Sequence, residues 1–527
     1  MYDLYIQNVS VIDGTGAPTF SANVAVQNGL IHLNPTDLGV SAEYIDGKGL
    51  TLCPGFIDAH SHEDRTMGTP SGQLCKISQG ITTELTGQCG STCFPVPEDP
   101  ERRELFYQSG GAPNPINGQL PAPFFTMADY LSYMARQPLS TNQKVLTGHK
   151  ALRIAAMGFD NRTPSPAELE HMKSMLREAM ECGSAGLSSG LIYSPSCYAE
   201  EEELVALCRV VAEFDGIYAT HMRNEASQVE RSVRESIAVA ERSGCRLNIS
   251  HHKICGKENW GRSEQTLRLI HEANDRGVPV TVDVYPYTAS STSLNVCLPA
   301  HFFSNGPEKM QLLLREPSVR SAIKQEMEQI DGRYRHCGFD KILVTLAPNT
   351  PDACSKTVSE YAVLVGKDPF DAYFDLICEN GYAAQAIYFS MCEEDLQRIV
   401  LDPYAVIGTD GVARSLTAPT HPRSFGSFPR AIRYFVREKK LLTLEAMIHK
   451  MTQLPAQRLL VPNKGVIANG YDADLVLFDA AHITDRATYL NGTALCDGID
   501  RVIVGGKTVY QDKKLTGVFP GKFIAHP

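Results

Sequence analysis

The sequence predicts an α/β fold, a (β/α)8 barrel of the TIM type joined to a small β-domain that both ends of the chain build. In the middle of the chain, short apolar runs rich in β-branched residues alternate with stretches of helical periodicity, a pattern typical of βαβ units. The two ends contain short strand-like runs separated by turn residues. The 527 residues leave room for a smaller domain beside a barrel, which takes about 250 residues before insertions.

The strands predicted at the two ends support the terminal β-domain. They are Asp3–Ile12, Asn23–Val26 and Leu30–Leu33 at the N-terminus, and Asp474–Phe478, Arg501–Val504 and Lys507–Tyr510 at the C-terminus. Gly505 and Gly506 between the last two predict a hairpin turn. The simplest arrangement joins residues 1–51 and 463–527 in one domain and inserts residues 52–462 into it.

Eight strands and the helices between them predict the barrel. The strands are Phe56–His60, Ile81–Gly87, Lys144–His149, Ser184–Leu187, Ile217–His221, Arg246–His251, Val280–Tyr285 and Val406–Asp410. The clearest helices are Pro166–Cys182 (with Ser165 as N-cap and Gly183 as the stop), Ala199–Phe214 and Ala226–Ser243. The chain between the last two strands is too long for one helix, so residues 298–365 are predicted to be an insertion that covers the barrel mouth as a lid.

Composition restricts the class of partner. The net charge of −11 argues against nucleic acid or an anionic membrane as the main partner, because both attract basic surfaces. A small-molecule substrate is the partner that we expect, and the sequence does not indicate the oligomeric state.

The cysteines and the N-terminus indicate a compartment. The 15 cysteines are odd in number and form no CxxC pair, so we expect reduced thiols and no disulfide framework. The N-terminus has no basic segment followed by an apolar run, and no apolar stretch approaches the roughly 18 residues of a membrane helix. The cytoplasm is therefore the expected location.

Metal-binding residue types fall at the ends of the predicted strands, where barrel enzymes build their sites. His60 and His62 follow the first strand, and residues two apart in a strand face the same side, so both rings can face one cation. The structural alternative is a pair of surface histidines on a loop. The turn Pro54-Gly55 and the apolar strand before them favour the metal site.

Four more candidates occupy equivalent positions. Cys89 lies between glycines after the second strand, where a thiolate suits Zn²⁺; the alternative is a buried structural cysteine. His221 and His251 end the fifth and sixth strands. Asp410 ends the eighth, where a carboxylate can bind a cation and take a proton from water, although Asp before Gly is also a common turn.

These residues together resemble the D-aminoacylases (N-acyl-D-amino-acid deacylases) of the amidohydrolase superfamily. The resemblance covers nearly the whole chain and depends on the segments GQCG (87–90), GLIYSP (190–195), YATHMRNE (218–225), ISHHK (249–253), DVYPY (283–287), IGTDG (407–411) and HPRSFGSFPR (421–430). It implies a β-sandwich shared by both termini and a zinc-bearing barrel. By the same resemblance, Cys89, His221 and His251 bind the tightly held zinc, and His60, His62 and Asp410 form a weaker second site.

The resemblance also implies how the substrate binds. Lys253, Tyr285 and Arg423 match residues that hold its α-carboxylate, which suits a guanidinium and an ammonium. Tyr193 and Ser291 are further candidates for the pocket wall. The segment 290–298 contains no cation, which favours neutral or apolar amino-acid side chains. Acidic side chains on the substrate remain an alternative, because the predicted lid carries basic residues, Arg315 and Lys341 among them.

The implied reaction is zinc-dependent hydrolysis of N-acyl-D-amino acids, with Asp410 transferring the proton. Cyclic amide hydrolysis, as in hydantoinases and dihydroorotases, is the first alternative; those enzymes usually carry a carboxylated lysine after strand four, and residues 184–191 contain no lysine. A dipeptidase is a further alternative on the same scaffold. A non-catalytic scaffold protein is the last, and the full set of candidate ligands argues against it.

Overall fold

The computed structural model describes residues 1–35, 41–66, 68–115, 119–304, 306–413, 415–417 and 419–527. Its strands are β1 Tyr2–Val11, β2 Phe20–Gln27, β3 Leu30–Leu33, β4 Ser41–Asp46, β5 Thr51–Pro54, β6 Phe56–Asp58, β7 Ile81–Thr86, β8 Asn142–Val145, β9 Thr147–Gly148, β10 Gly186–Gly190, β11 Ile217–His221, β12 Arg246–Ile249, β13 Val280–Val284, β14 Ser290–Ser293, β15 Ile342–Leu346, β16 Gln385–Tyr388, β17 Ala405–Ile407, β18 Leu475–Phe478, β19 Ile499–Val504, β20 Lys507–Gln511 and β21 Lys514–Leu515. Its α-helices are α1 Pro70–Ile77, α2 Pro100–Phe106, α3 Met127–Met134, α4 His149–Met157, α5 Pro166–Glu181, α6 Glu201–Ala212, α7 Val229–Ser243, α8 Ser263–Asp275, α9 Pro307–Leu313, α10 Pro317–Gln329, α11 Arg333–Cys337, α12 Val358–Val365, α13 Pro369–Asn380, α14 Glu393–Leu401, α15 Arg423–Ala431, α16 Leu444–Met451 and α17 Gln453–Arg458.

Parallel strands form the barrel in the order β6, β7, β8 with β9, β10, β11, β12, β13, β17. The chain runs from β8 to β9 through Leu146, whose N–H donates to the Thr86 carbonyl at 3.0 Å. The N–H of Ala59 donates to the Ile407 carbonyl at 3.3 Å and so joins the first strand to the last. The predicted fold class is confirmed.

Most barrel strands lie within a few residues of their predicted positions, and the fourth shows the clearest error. It was predicted at Ser184–Leu187 but spans Gly186–Gly190. The Ser184 hydroxyl is engaged before the strand begins, since it donates to the carbonyls of Val145 at 3.3 Å and Gly186 at 3.1 Å. The β-propensity of the run was therefore a poor guide to where ladder pairing starts.

The three predicted helices are present, and two of them begin later than predicted. The first has the predicted cap, because the Ser165 hydroxyl accepts the Glu168 N–H in a capping box. The third begins at Val229 and not at Ala226. Its start is delayed because the Asn224 side-chain oxygen accepts the N–H groups of Ala226 at 2.8 Å and Gln228 at 3.0 Å, which holds a turn before the helix. The second begins at Glu201 and not at Ala199.

Strands from both termini form one sheet in the order β21-β20-β19-β18-β5-β1-β2-β3, with β4 beside β1. The junction between the two ends is the antiparallel pair of β5 and β18, in which Leu52 lies opposite Leu477. Both residues belong to an apolar cluster drawn from the two ends of the chain. The domain division at residues 1–51, 52–462 and 463–527 stays a prediction.

The segment between the seventh and eighth barrel strands has its own sheet and apolar cluster. Strands β14, β16 and β15 form an antiparallel sheet, and the cluster around helices α9 to α13 extends from Leu294 to Tyr388. These elements reach beyond both ends of the predicted insertion, residues 298–365. Sequence alternation could not show this, because the flanking strands lie far apart along the chain.

Two further features of the fold are the character of its helices and the state of its cysteines. Among the described helices, none combines the length and the apolar character that crossing a membrane requires. All fifteen cysteines carry free thiols.

Candidate metal centre

A pocket of about 490 Å³ opens where the barrel strands end. This volume lies in the range of small-molecule sites, roughly 300–1,000 Å³. Its wall includes the following predicted site residues: His62, Cys89, Tyr193, His221, His251, Lys253, Tyr285, Ser291, Asp410 and Arg423. His60 lies deeper and has no exposed surface.

Four donor side chains meet at the floor of the pocket. The Cys89 sulfur lies 3.4 Å from Nε2 of both His60 and His251. Asp410 Oδ1 lies 3.5 Å from Nε2 of His60. One donor atom from each of these four residues lies within 4.8 Å of the others, and all four residues are buried. The loops after strands β6, β7, β12 and β17 thus converge on one point.

His62 and His221 flank this cluster. His62 Nε2 lies 3.2 Å from Asp410 Oδ1, and His221 Nδ1 lies 3.8 Å from the Cys89 sulfur. His221 also forms an adjacent donor group with Glu225 and His251. This grouping differs from the one that the resemblance implies, because Cys89 and His251 lie with His60 and Asp410, whereas His221 lies beside Glu225.

The surroundings of Cys89, Asp410 and His221 favour the form of each side chain that binds a metal. Burial raises the pKa of the Cys89 thiol, but the charges of His60 and His251 lower that pKa more, so the thiol ionises well below its usual range. Burial also raises the pKa of Asp410, yet Arg423 and His251 hold it well below its usual range. Burial lowers the pKa of His221 to about 4, which keeps that ring neutral. A thiolate, a carboxylate and a neutral imidazole are the forms that bind metals.

Three of the four donors sit on left-handed backbone. The φ angles are 55° for Cys89, 36° for His251 and 49° for Asp410. For residues other than glycine such angles cost about 1–3 kcal/mol each. This costly backbone conformation occurs at three donors of one cluster, which indicates that the loop conformations position these side chains toward a common point.

Asp283, which the sequence analysis did not single out, orients two of the histidines. Its carboxylate lies 3.2 Å from His60 Nδ1 and accepts the backbone N–H of His251 at 2.7 Å. Asn248 donates to the same carboxylate at 2.7 Å. A carboxylate on the far nitrogen of a metal-binding imidazole fixes its tautomer and ring plane. The only available signal was its place in the DVYPY segment at the end of the seventh strand.

We predict that Asp283→Asn weakens zinc binding by about 10–100-fold, the range for loss of such an outer partner. The amide keeps the shape of the side chain but weakens the hold on the His60 ring. Competition with a chromophoric chelator measures the change. Asp275→Asn, at the exposed end of α8, is the matched control, and equal zinc affinity in both variants would contradict the role of Asp283.

Lys253, Tyr285 and Arg423 lie together beside the cluster. Lys253 and Arg423 approach the Tyr285 ring, with 5.8 Å and 4.9 Å to its centroid. Arg423 Nη1 lies 2.7 Å from Asp410 Oδ2, but the pair lacks hydrogen-bond geometry, so we treat it as an ionic contact. The Tyr285 hydroxyl is buried with no hydrogen-bond partner in the described part of the chain. These groups can receive an anion from the pocket.

Glu225 was also missed, although it ends the YATHMRNE segment. Its carboxylate forms ion pairs with Lys253 and with Arg333 of the insertion, the latter at 2.9 Å. Arg333 donates to the Ser290 hydroxyl at 2.9 Å as well. Arg315 and Lys341, the basic lid residues that the sequence pointed to, are exposed and lie outside the pocket wall. The insertion therefore brings a different cation, Arg333, to the pocket.

Tyr193 and Ser291 occupy the wall between the barrel and the insertion. The Tyr193 ring lies edge-on to His221 with centroids 5.2 Å apart, and its hydroxyl lies 3.0 Å from Thr292 Oγ1. The Ser291 carbonyl accepts a hydrogen bond from Arg423 at 3.0 Å. Both residues thus brace functional candidates.

The donors fit a zinc ion. Thiolate, imidazole and carboxylate are the ligands that zinc prefers, and four such groups converge here. His221 Nε2 is buried and lacks a hydrogen-bond partner among the described residues. A buried orphan nitrogen is costly, and a nearby cation would satisfy it.

Most of the chain matches one known protein family. The amidohydrolase family pattern matches residues 43–292 and 366–510. The stretch between the two matched parts contains the predicted insertion.

Individual proteins resemble the chain over its whole length. N-acyl-D-aspartate deacylase from Alcaligenes xylosoxydans xylosoxydans is 33% identical over 99% of this chain and 95% of that protein. D-aminoacylase from the same organism is 33% identical over 99% of this chain and 98% of that protein. The crystal structure of N-acyl-D-glutamate deacylase from Bordetella bronchiseptica, complexed with zinc and a phosphonate mimic of the tetrahedral intermediate, is 32% identical and covers 100% of both chains with a TM-score of 0.84.

Proposed function

This chain belongs to the amidohydrolase family, and from that premise we propose that it is a zinc-dependent deacylase that hydrolyses the amide bond of N-acyl-D-amino acids. The observation that carries the proposal is the meeting of Cys89, His60, His251 and Asp410 at the floor of one pocket. The relatives described above are named as deacylases of N-acyl-D-amino acids. Their names support this substrate class and the D series.

Within this proposal the metal ligands follow the sequence analysis. Cys89, His221 and His251 hold the tightly bound zinc, and the distances from the Cys89 sulfur to both rings support this set. His60, His62 and Asp410 hold a weaker second ion. His60 and Asp410 each place a donor atom within 4.8 Å of the Cys89 sulfur, so the residues that would hold the two ions adjoin each other.

Asp410 performs the proton transfers in the proposed reaction. When bound, zinc would polarise the amide carbonyl as a Lewis acid and would lower the pKa of its water toward neutrality. Asp410 has a low pKa and is therefore in the basic form. It takes a proton from the attacking water and delivers it to the leaving nitrogen. The products are a carboxylate and a free D-amino acid.

Lys253, Tyr285 and Arg423 bind the α-carboxylate of the substrate in this scheme. The ammonium, the guanidinium and the unpartnered hydroxyl converge beside the donor cluster, and such a set suits a carboxylate. Tyr193 and Ser291 line the same cavity.

Neutral or apolar amino-acid side chains remain our proposal. Segment 290–298 contributes no cation to the pocket, and Arg333 is already held by Glu225 and Ser290. A cytoplasmic location also belongs to the proposal, and the free state of all fifteen cysteines supports it.

The proposal is tested by amine release from paired N-acetyl-D- and N-acetyl-L-amino acids, with methionine, leucine and glutamate included. We expect turnover of the D-isomers by the zinc-loaded enzyme and little of the L-isomers, because the relatives that resemble this chain are named for D-amino-acid substrates. Hydantoins and dihydroorotate serve as cyclic controls. Turnover confined to cyclic amides would overturn the substrate class, and zinc binding without any turnover would favour a scaffold protein.

A further inference from the structure

Two cationic side chains that line the pocket, Arg65 and Lys150, take no part in the proposed function. Lys150 follows the third barrel strand, whereas Tyr285 follows the seventh. Strands four places apart in the barrel order lie across the barrel from each other. Lys150 therefore lies across the barrel from the wall that receives the α-carboxylate.

Lys150 is held in a place that disfavours its charge. The residue is only 7% exposed, and its ammonium donates to the Ser109 carbonyl at 2.9 Å. It is the second residue of α4, where the helix dipole repels a cation. Burial, with a further contribution from Arg65, lowers its pKa to about 7. An anion bound beside Lys150 would favour its charged form.

Arg65 lies on the same side of the pocket. It donates weakly to the Ser91 carbonyl at 3.4 Å, and its Nε is buried without a hydrogen-bond partner among the described residues. The N–H of Lys150 donates to the Gly90 carbonyl at 3.0 Å. Both cations thus adjoin the loop that carries Cys89, next to the donor cluster.

The acidic groups of the pocket are already engaged elsewhere. Their partners are Lys253 and Arg333 for Glu225, His336 for Asp331, and Arg423 for Asp410. Burial raises the pKa of Asp64 to about 6, and the nearby charge of Arg65 opposes that rise. Yet within the described residues no carboxylate oxygen comes within 4.0 Å of either cation. The pair is free to bind a carboxylate that enters with the substrate.

We propose that Arg65 and Lys150 bind a second carboxylate, carried by the acyl group of the substrate, so that the enzyme prefers N-acyl-D-amino acids whose acyl chain ends in a carboxylate, as in a succinyl group. The inference rests on the proposed deacylase function. With the α-carboxylate on the wall of Tyr285 and the amide carbon at the donor cluster, the acyl chain extends toward the opposite wall. A guanidinium beside an ammonium suits a carboxylate there.

The kinetic test compares three substrates built on one D-amino acid. They carry N-acetyl, N-succinyl and N-succinamoyl groups, the last being equal in length to succinyl but uncharged. We expect kcat/KM for the succinyl substrate to exceed that for the succinamoyl substrate by about tenfold or more, as for a charge-assisted contact. Equal values for these two substrates would overturn the proposal.

Variants assign the preference to the two cations. Lys150→Met and Arg65→Gln should each reduce the succinyl-to-succinamoyl ratio to near one. The matched controls Lys173→Met and Arg177→Gln, on the surface helix α5, should leave the ratio unchanged. An unchanged ratio in the two pocket variants would overturn the assignment. So would a loss confined to N-acetyl-D-glutamate, because the pair would then bind the amino-acid side chain.

Binding measured without turnover separates this inference from the proposed function. By calorimetry, succinate should bind the zinc-loaded wild type at least about tenfold more tightly than succinamate, and Lys150→Met should remove the difference. If this holds while no amide is cleaved, the deacylase function fails and the carboxylate site stands. If D-isomers are deacylated but succinate has no advantage, only the carboxylate site fails.

Discussion

Replacing Asp410 by asparagine is expected to lower kcat for an N-acyl-D-amino acid by about 10²–10⁴-fold, the usual contribution of a general acid–base group. The amide can neither take a proton from water nor return it to the leaving nitrogen. Cys89, His60, His221 and His251 remain to hold zinc, so the metal content should be nearly unchanged.

Asparagine is the informative substitution because of the backbone at this position. Asp410 has a φ of 49°, and asparagine tolerates left-handed backbone as well as aspartate does. The N–H of residue 410 donates to the His60 carbonyl at 2.8 Å, a bond that does not depend on the side chain. The loop should therefore keep its shape.

Two measurements separate the loss of the base from other effects. Zinc content and circular dichroism should match the wild type, while Asp340→Asn, at an exposed site of the insertion, should retain full activity. Activity of Asp410→Asn within tenfold of the wild type would show that another group moves the proton. Loss of zinc would show that Asp410 acts mainly as a ligand.

The sequence predicted the barrel and the proximity of most site residues for one physical reason. The carboxyl ends of parallel barrel strands meet at one face, so residues such as His60 and His251, far apart along the chain, had to approach each other. The exact strand ends mattered little for this, and a shift of β10 by a few residues did not move the other loops.

What the sequence could not predict depends on three-dimensional contacts. Only its place in the DVYPY segment set Asp283 apart, and nothing around Glu225 distinguishes a carboxylate that pairs with cations of the pocket from an ordinary surface charge. Arg333 could not be told from Arg315, because only the folded insertion turns one inward. The left-handed backbone at Cys89 was also hidden, since cysteine is not among the residue types enriched in that conformation.

The second prediction concerns Cys89, whose replacement by serine is expected to weaken zinc binding by more than about 100-fold, because loss of an outer partner alone costs about 10–100-fold. The Cys89 thiol ionises well below its usual range, because His60 and His251 lower its pKa more than burial raises it. A serine hydroxyl stays protonated at neutral pH, so the serine variant offers zinc no anionic sulfur.

Cys93 provides the matched control four residues along the same loop. Burial raises the pKa of its thiol well above the usual value, and its sulfur donates to the Asp64 carbonyl at 3.8 Å. Cys93→Ser should therefore bind zinc as the wild type does. Because zinc bound to the folded state stabilises it by mass action, added zinc should raise Tm in the wild type and in Cys93→Ser, but much less in Cys89→Ser.

Activity at saturating zinc decides what the sulfur contributes beyond affinity. If Cys89 only holds the ion, excess zinc restores kcat in Cys89→Ser, since His60, His221 and His251 still surround the position. If kcat stays low with zinc bound, the thiolate charge also sets the chemistry, because it balances the cation and thereby tunes the acidity of nearby water. Equal zinc affinity in the two serine variants would remove Cys89 from the metal site altogether and leave the histidines and Asp410 as its ligands.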